Sequence, residues 1–219
     1  MTTFPGSPRL LKGGLVLLDP ETSAVVRIIN LQYNPETLSR TLQIQNISAE
    51  GSDRAQALRL KAPAVETIKL DAEIDLTDQL EFPDQNPDAL QLGIYPQLAA
   101  LETLVYPTSS QLQTNHRLSQ AGTLEILPMI APLTLFVWSK NRIVPVQLTD
   151  FSITEEAFDP SLNPIRAKVS LGMQVLSIND LEFESKGGSL FMTYLQQKEQ
   201  LAAKQAGGTL SAFGIGGIP

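Results

Sequence analysis

The sequence contains no cysteine, and one histidine, His116, in 219 residues. The first absence removes disulfides, thiolate zinc sites and cysteine nucleophiles, and it leaves the redox compartment open. The second means that a metal site would have to be built from carboxylates. Long apolar runs are also missing. The longest, Ile126 to Trp138, covers 13 residues and is broken by Pro128 and Pro132, short of the roughly 20 that a bilayer-spanning helix needs. Met1 to Pro8 is polar and proline-containing, without the apolar stretch of a signal peptide, so synthesis in the cytoplasm is expected. Charge is sparse at 18% of residues and sums to −7, with a pI near 4.8. A nucleic-acid binder needs a basic stripe to displace counterions, and none is present. Nor is there a glycine-rich phosphate loop, a nucleophile elbow or a dinucleotide fingerprint.

What is present is enough apolar matter for a packed core. Hydrophobic residues make up 42% of the chain, which argues against wholesale disorder. The length suits one sizeable domain with an extension, or two small ones. Leu15–Leu18 and Val25–Leu31 flank the turn-forming run Asp19-Pro20-Glu21-Thr22-Ser23, a hairpin signal. At Tyr33-Asn34-Pro35 the chain turns sharply, because proline presets its own φ and pushes the residue before it out of the helical region. A second extended run follows, alternating over Arg40 to Gln45. Residues 48–61 are polar and read as a crossing loop. Ala64 to Leu76 alternates strictly from Ile68 onward, the period of a strand with one wet face.

Prolines 83, 87 and 96 then punctuate the chain. Leu98, Leu101 and Val105 repeat with helical spacing and predict one short amphipathic helix ending near Tyr106-Pro107. Thr108 to Thr123 is polar and reads as a long loop. A second β block comprises Leu133–Trp138, Ile143–Phe151 with its continuation to Phe158, a loop over 159–164, and a long strand from Ile165 to Ile178. The composition changes after that. A C-terminal helix is expected over about Ser189 to Ala206, with Gly187-Gly188 as a hinge before it; Gly13-Gly14 is read as a hinge too. Gly207 to Pro219 is glycine-rich yet carries Leu210, Phe213, Ile215 and Ile218. Such a tail is either a disordered end or an arm that docks on a neighbouring subunit.

Candidate chemistry is thin. His116 lies in a polar stretch between Asn115 and Arg117 and reads as a solvated side chain rather than a catalyst. Asp71, Glu73 and Asp75 share one strand face; they could attract a cation, but a row of carboxylates is also what the wet face of a half-buried sheet looks like. Asp78, Glu81 and Asp84 do not have the spacing of a calcium loop. Trp138 closes an apolar strand and reads as a core anchor, and Tyr33 is a further core candidate. No cofactor and no enzymatic activity are expected.

Three stretches, in order, carry a resemblance. They are Tyr33-Asn34-Pro35-Glu36-Thr37-Leu38-Ser39-Arg40; the strand Glu66 to Asp75; and Leu133–Trp138 with Val146–Ile153, followed by Phe158-Asp159-Pro160 and Asn163-Pro164-Ile165-Arg166-Ala167. Together they resemble the tube-type proteins of contractile injection systems, relatives of phage tails built like a spring-loaded syringe. The resemblance spans about Leu15 to Ser177. It implies a mainly β (α+β) fold, a tube-like split β-barrel with one short internal helix, over residues 1–178. Residues 179–219 would be a C-terminal helix and glycine-rich docking arm. They stand where many such proteins carry a peptidoglycan-binding LysM module.

The implied role is a structural adaptor, a ring of six copies joining the inner tube to the spike hub in the baseplate. Its partners would be further copies of itself, the inner tube protein and a spike, hub or cap protein, with sheath or baseplate proteins nearby. Neither nucleic acid nor a membrane span is implied, and the protein would end up in the particle. A cap-side ring at the other end of the tube and a stand-alone β-rich binding module are the alternatives. The candidate interface residues are Tyr33, Asn34, Pro35, Leu210, Phe213, Ile215 and Ile218.

Overall fold

The computed structural model describes residues 10–46, 60–120, 122 and 131–218. The crossing loop expected over 48–61 lies almost wholly outside them. Seven strands form one antiparallel sheet: β1 (Gly14–Leu18), β2 (Val25–Asn30), β3 (Leu38–Asn46), β4 (Leu60–Asp75), β5 (Leu133–Ser139), β6 (Arg142–Phe158) and β7 (Pro164–Val175). Their order is β2-β1-β5-β6-β7-β4-β3, so β2 and β3 are the two terminal strands. The mainly β fold expected from the alternation is therefore present, and the β1–β2 hairpin forms where the turn chemistry places it. Asp19 closes that turn by accepting the backbone N–H groups of Glu21 and Thr22.

The sheet is curled rather than flat. On β4, the residues of one parity (Glu66, Ile68, Leu70, Ala72 and Ile74) are all buried. They meet Leu15 from β1, Phe136 from β5, Val144 and Val146 from β6, and Val169, Leu171 and Met173 from β7 in a single core. Strands near opposite ends of the sheet can share a core only if the sheet wraps around it. The wrap ends in a seam. Beyond β2, the Gln32 amide spans to the end of β4: its Oε1 accepts the Asp75 N–H at 3.0 Å and its Nε2 donates to the Asp75 carbonyl at 2.5 Å. One side chain thus satisfies a strand edge as a neighbouring strand would. Among the described residues β2 and β3 do not pair, and the barrel stays split.

Among the described residues four α-helices, not one, lie between β4 and β5: α1 (Thr77–Leu80), α2 (Pro87–Leu92), α3 (Tyr95–Glu102) and α4 (Ser109–Gln120). Ile94, Leu98 and Leu101 carry α3 into the core. Gly93 precedes it with φ of +57° and lies against the Pro164 carbonyl, a position that only glycine fills without strain. α4 replaces the polar loop expected over 108–123. The reason is local. The Thr108 hydroxyl accepts the Gln111 N–H at 3.3 Å while Gln111 Oε1 accepts the Thr108 N–H at 3.0 Å. That reciprocal pair is a capping box, which starts a helix without any apolar stripe.

The last helix, α5 (Lys186–Ala203), is N-capped by Ser185, whose hydroxyl accepts the Gly188 N–H at 3.1 Å. Phe191 and Tyr194 join the core from its inner face. The two glycine pairs are not hinges. Gly187 and Gly188 are buried in the first turn of α5, pressed against the Leu181 side chain and the Glu182 carbonyl respectively. A Cβ on Gly13 would lie 2.6 Å from the Trp138 ring. These are sites of close approach, where any side chain collides.

A hinge and a close approach respond oppositely to alanine. At a hinge inside a helix, Gly188→Ala should stabilise by about 0.5–1 kcal/mol. Against a packed carbonyl it should destabilise by about 1–3 kcal/mol. The second outcome is expected in urea denaturation, and a rise in the midpoint would contradict the packing described here.

Candidate interaction surface

A charge sits on the buried parity of β4. Glu66 is 4% exposed and is ringed by three partners from two other elements. Arg40 of β3 donates from Nε at 2.7 Å, Lys198 of α5 donates at 2.8 Å, and the Tyr194 hydroxyl donates at 3.0 Å. Arg40 also donates to the Tyr194 oxygen at 3.1 Å, and the Lys198 ammonium lies 4.0 Å from the centre of the Tyr194 ring. Burial pushes the Glu66 carboxyl up, but the hydrogen bonds from Arg40 and Lys198 outweigh it and hold the group below its ordinary value. The cluster clamps α5 to β3 and β4. Both carboxylate oxygens accept hydrogen bonds from these partners.

Beyond the clamp, the β3–β4 hairpin leaves the body of the sheet. β7 pairs with β4 only from Thr67 onward, whereas β3 pairs with it back to Leu60. The overhanging part exposes Leu42, Ile44 and Leu60. At the opposite end of the sheet β2 exposes Val25, Val26 and Ile28. Two terminal strands whose outer edges pair with no other described strand and which expose apolar side chains are surfaces that assembly or aggregation covers.

The residues singled out in the sequence fall into two groups. Asn34 is a clamp of the chain on itself: its Oδ1 accepts the Gly13 N–H at 2.9 Å and its Nδ2 donates to the Leu11 carbonyl at 2.7 Å. Pro35 is half-buried beside it, and Tyr33, a core candidate in the sequence, is 43% exposed. Leu210, Phe213, Ile215 and Ile218 are all exposed, in a tail whose only regular element is a single 3-10 turn, Leu210–Phe213. No hydrogen bond joins turn to tail among the described residues. Trp138 is half-buried and stacks on Phe136 with ring centres 5.9 Å apart.

The carboxylate row on β4 faces basic residues across the ladder. Asp75 meets Arg166 at 2.8 Å and Asp71 meets Lys168 at 3.2 Å, so the row is a paired wet face. His116 is exposed on α4, beside Gln120. Among the described residues no three His, Asp or Glu side chains gather as metal ligands, and no helix is long and apolar enough to cross a membrane. Sequence reasoning missed the Glu66 clamp, although a signal existed: Glu66 falls on the same parity as Ile68, Leu70 and Ala72. It also missed the Gln32 bridge, which no local pattern announces.

No family model matches the chain, and no curated protein matches it either. Solved structures do. A chain from the tail of an empty gene transfer agent particle with C6 symmetry is 12% identical, covering 74% of this chain and 90% of that one, with a TM-score of 0.28. A chain from the virion of a native gene transfer agent particle is 11% identical over the same shares, with a TM-score of 0.26. TM-scores of this size do not establish a common fold.

The clamp makes stability depend on acid. A carboxyl held below its ordinary value of 4.5 contributes stability that is present above that pH and is lost as pH falls through its folded value. Glu66→Gln should therefore flatten the acid limb of the stability profile. At neutral pH it should cost about 3 kcal/mol, the low end for breaking a buried pair, because Arg40 and Lys198 remain partly exposed. Urea titrations between pH 3 and 7 test both. An acid limb identical to that of the parent chain would remove Glu66 as its cause.

Proposed function

We propose that this chain is a structural adaptor of a contractile injection particle. Copies assemble into a ring, six to a turn, that joins the inner tube to the spike hub in the baseplate. One observation carries the reading: among the described residues the sheet ends in two different strands with unpaired outer edges, each with exposed apolar side chains. The overhanging β3–β4 hairpin shows Leu42 and Ile44, and β2 shows Val26 and Ile28. Two unlike edges on one molecule make a head-to-tail contact, which closes into a ring when the rotation per copy divides a full turn. The order of motifs along the sequence points to the same class of particle. The role is assembly, with the α5 tail as a docking arm on one ring face.

Two experiments separate this reading from its rivals. Native mass measurement of the purified chain should give six times the 23.9 kDa of one copy; a strict monomer would favour a stand-alone binding module. A labelled copy, pulled down from the native cell and imaged by electron microscopy, should decorate the spiked end of syringe-like particles. Label at the blunt end would assign the ring to the cap instead.

Charging one edge tests the carrying observation. Leu42→Lys combined with Ile44→Lys alters exposed positions, so the folded chain should keep its stability to within about 0.5 kcal/mol. Assembly should fall at least tenfold, read by sedimentation velocity. Unchanged rings would mean that this hairpin is not the contact.

A further inference from the structure

The seam of the barrel is a groove with room for one extended segment. Its volume is about 370 Å³, and it lies between β2 and the end of β4 over a floor from α3. Leu31, Ala72, Ile74, Pro96, Ala100 and Leu101 line it. Both long walls are strand edges. Among the described residues β2 is the last strand of the sheet, and β3 begins at Leu38 opposite Leu70, so no described strand flanks β4 from Asp71 to Asp75. Gln32 takes the Asp75 N–H and C=O. Backbone groups alternate sides along a strand, so Glu73, two residues earlier, presents its own N–H and C=O to the groove.

The geometry points to the C-terminal tail of a second copy as the occupant. This inference rests on the assembly reading above and names the surface that receives the arm. The tail fits the groove in three respects. From Ala206 to Pro219 it has no charged side chain; the floor it would meet at Pro96, Ala100 and Leu101 is apolar, while Arg27 and Glu73 stand among the residues of the two walls. Two of its large side chains are largely uncovered, Phe213 at 77% and Ile218 at 80% exposed, with Leu210 and Ile215 partly so at 40% and 44%, and among the described residues a Cβ built on Gly207, Gly208, Gly214, Gly216 or Gly217 would meet nothing within 4 Å.

The third respect is pattern. In Phe213-Gly214-Ile215-Gly216 large and absent side chains alternate. Drawn out as a strand, this segment places Phe213 and Ile215 on one face, toward the apolar floor, and only backbone on the other. Strand addition of this kind takes its affinity from main-chain hydrogen bonds and its specificity from alternate side chains. Reaching it requires undoing one exposed 3-10 turn with no buried residue. Among the described residues the groove is lined by positions between 27 and 101 and by none of the tail, so in the single chain the described tail lies elsewhere.

The absence of native cysteine makes the test clean. Two differently tagged full-length copies, one Ala100→Cys and one Ile215→Cys, are co-expressed, purified and mildly oxidised. A non-reducing gel should show a covalent heterodimer at least tenfold above a control pair in which Thr22→Cys replaces Ala100→Cys. Gln97→Cys, at an exposed groove position, repeats the test should the half-buried Ala100 variant fold poorly. Both cysteines placed in one chain should yield a ladder of multimers.

A heterodimer no stronger than the control, in material whose native mass still reports a ring, would overturn the docking and leave the assembly reading standing. A fast-migrating, internally crosslinked monomer would place the tail in its own groove and also overturn it. A monomer by native mass with no crosslink would remove both readings together.

Discussion

A carboxylate buried without partners would cost several kcal/mol, and Glu66 is the carboxylate that this fold buries and must therefore pair. Its position in sequence gives it no choice: on β4 it shares the inward parity with Ile68, Leu70, Ala72 and Ile74, all of which must be buried to form the core. The chain answers with a cation from the neighbouring strand, a cation from the last helix and a hydroxyl between them. Among the described residues no buried polar side-chain atom lacks a partner. Because two of the three partners come from α5, the helix cannot leave without exposing the ion pair on one side and the Phe191 and Tyr194 contacts on the other. Helix docking and core formation are one event.

That arrangement explains which apolar residues are covered and which are not. Inward of Glu66 the row on β4 is sealed by β1, β5, β6, β7 and α3. Outward of it the β3–β4 hairpin runs past the end of β7, and nothing described in the chain covers Leu42, Ile44 or Leu60. The ion cluster is thus the rim of the core. An apolar interior ends at a polar collar, and the strands continue beyond it with apolar side chains facing open space. A single chain that had to remain alone would blunt such an edge with charge, proline or a covering helix.

Much of the β architecture is legible in the sequence because its determinants are local. The Asp19–Ser23 turn, the strict alternation after Ile68 and the proline-bounded loop at 159–164 each specify their element through neighbours a few residues away. The helix α4 was legible by the same standard, in Thr108 and Gln111, but its lack of an apolar stripe hides it from a periodicity reading. The glycine pairs mislead for the opposite reason. Gly13 lies against Trp138 across the sheet, a tertiary cause, and Gly188 lies against the carbonyls of Glu182 and Phe183 a few residues earlier, a close approach that exists only once the chain has turned into α5; both look like flexibility from the sequence. Gln32 is the extreme case. Its partner Asp75 is far along the chain, and the bond exists only once the sheet has curled.

The seam follows from the same curl. Wrapping seven strands brings β2 toward β4, yet β3 already holds the first half of the β4 edge, so β2 can approach only the second half. Among the described residues no ladder joins β2 to that short stretch, and one glutamine amide bridges the gap at Asp75 instead. The barrel is left split where β3 ends. Both uncovered features of the molecule then trace to the strand β3: its far end carries the exposed hairpin, and its near end, at Leu38, determines where the seam opens. Shortening β3 would lengthen the seam, and lengthening it would close the seam against β2. The chain enters β3 from the turn at Tyr33-Asn34-Pro35, and Asn34, bonded to Gly13 and Leu11, ties that turn to the segment leading into β1. The place where β3 begins is thereby held against the far side of the sheet, and with it the place where the seam opens.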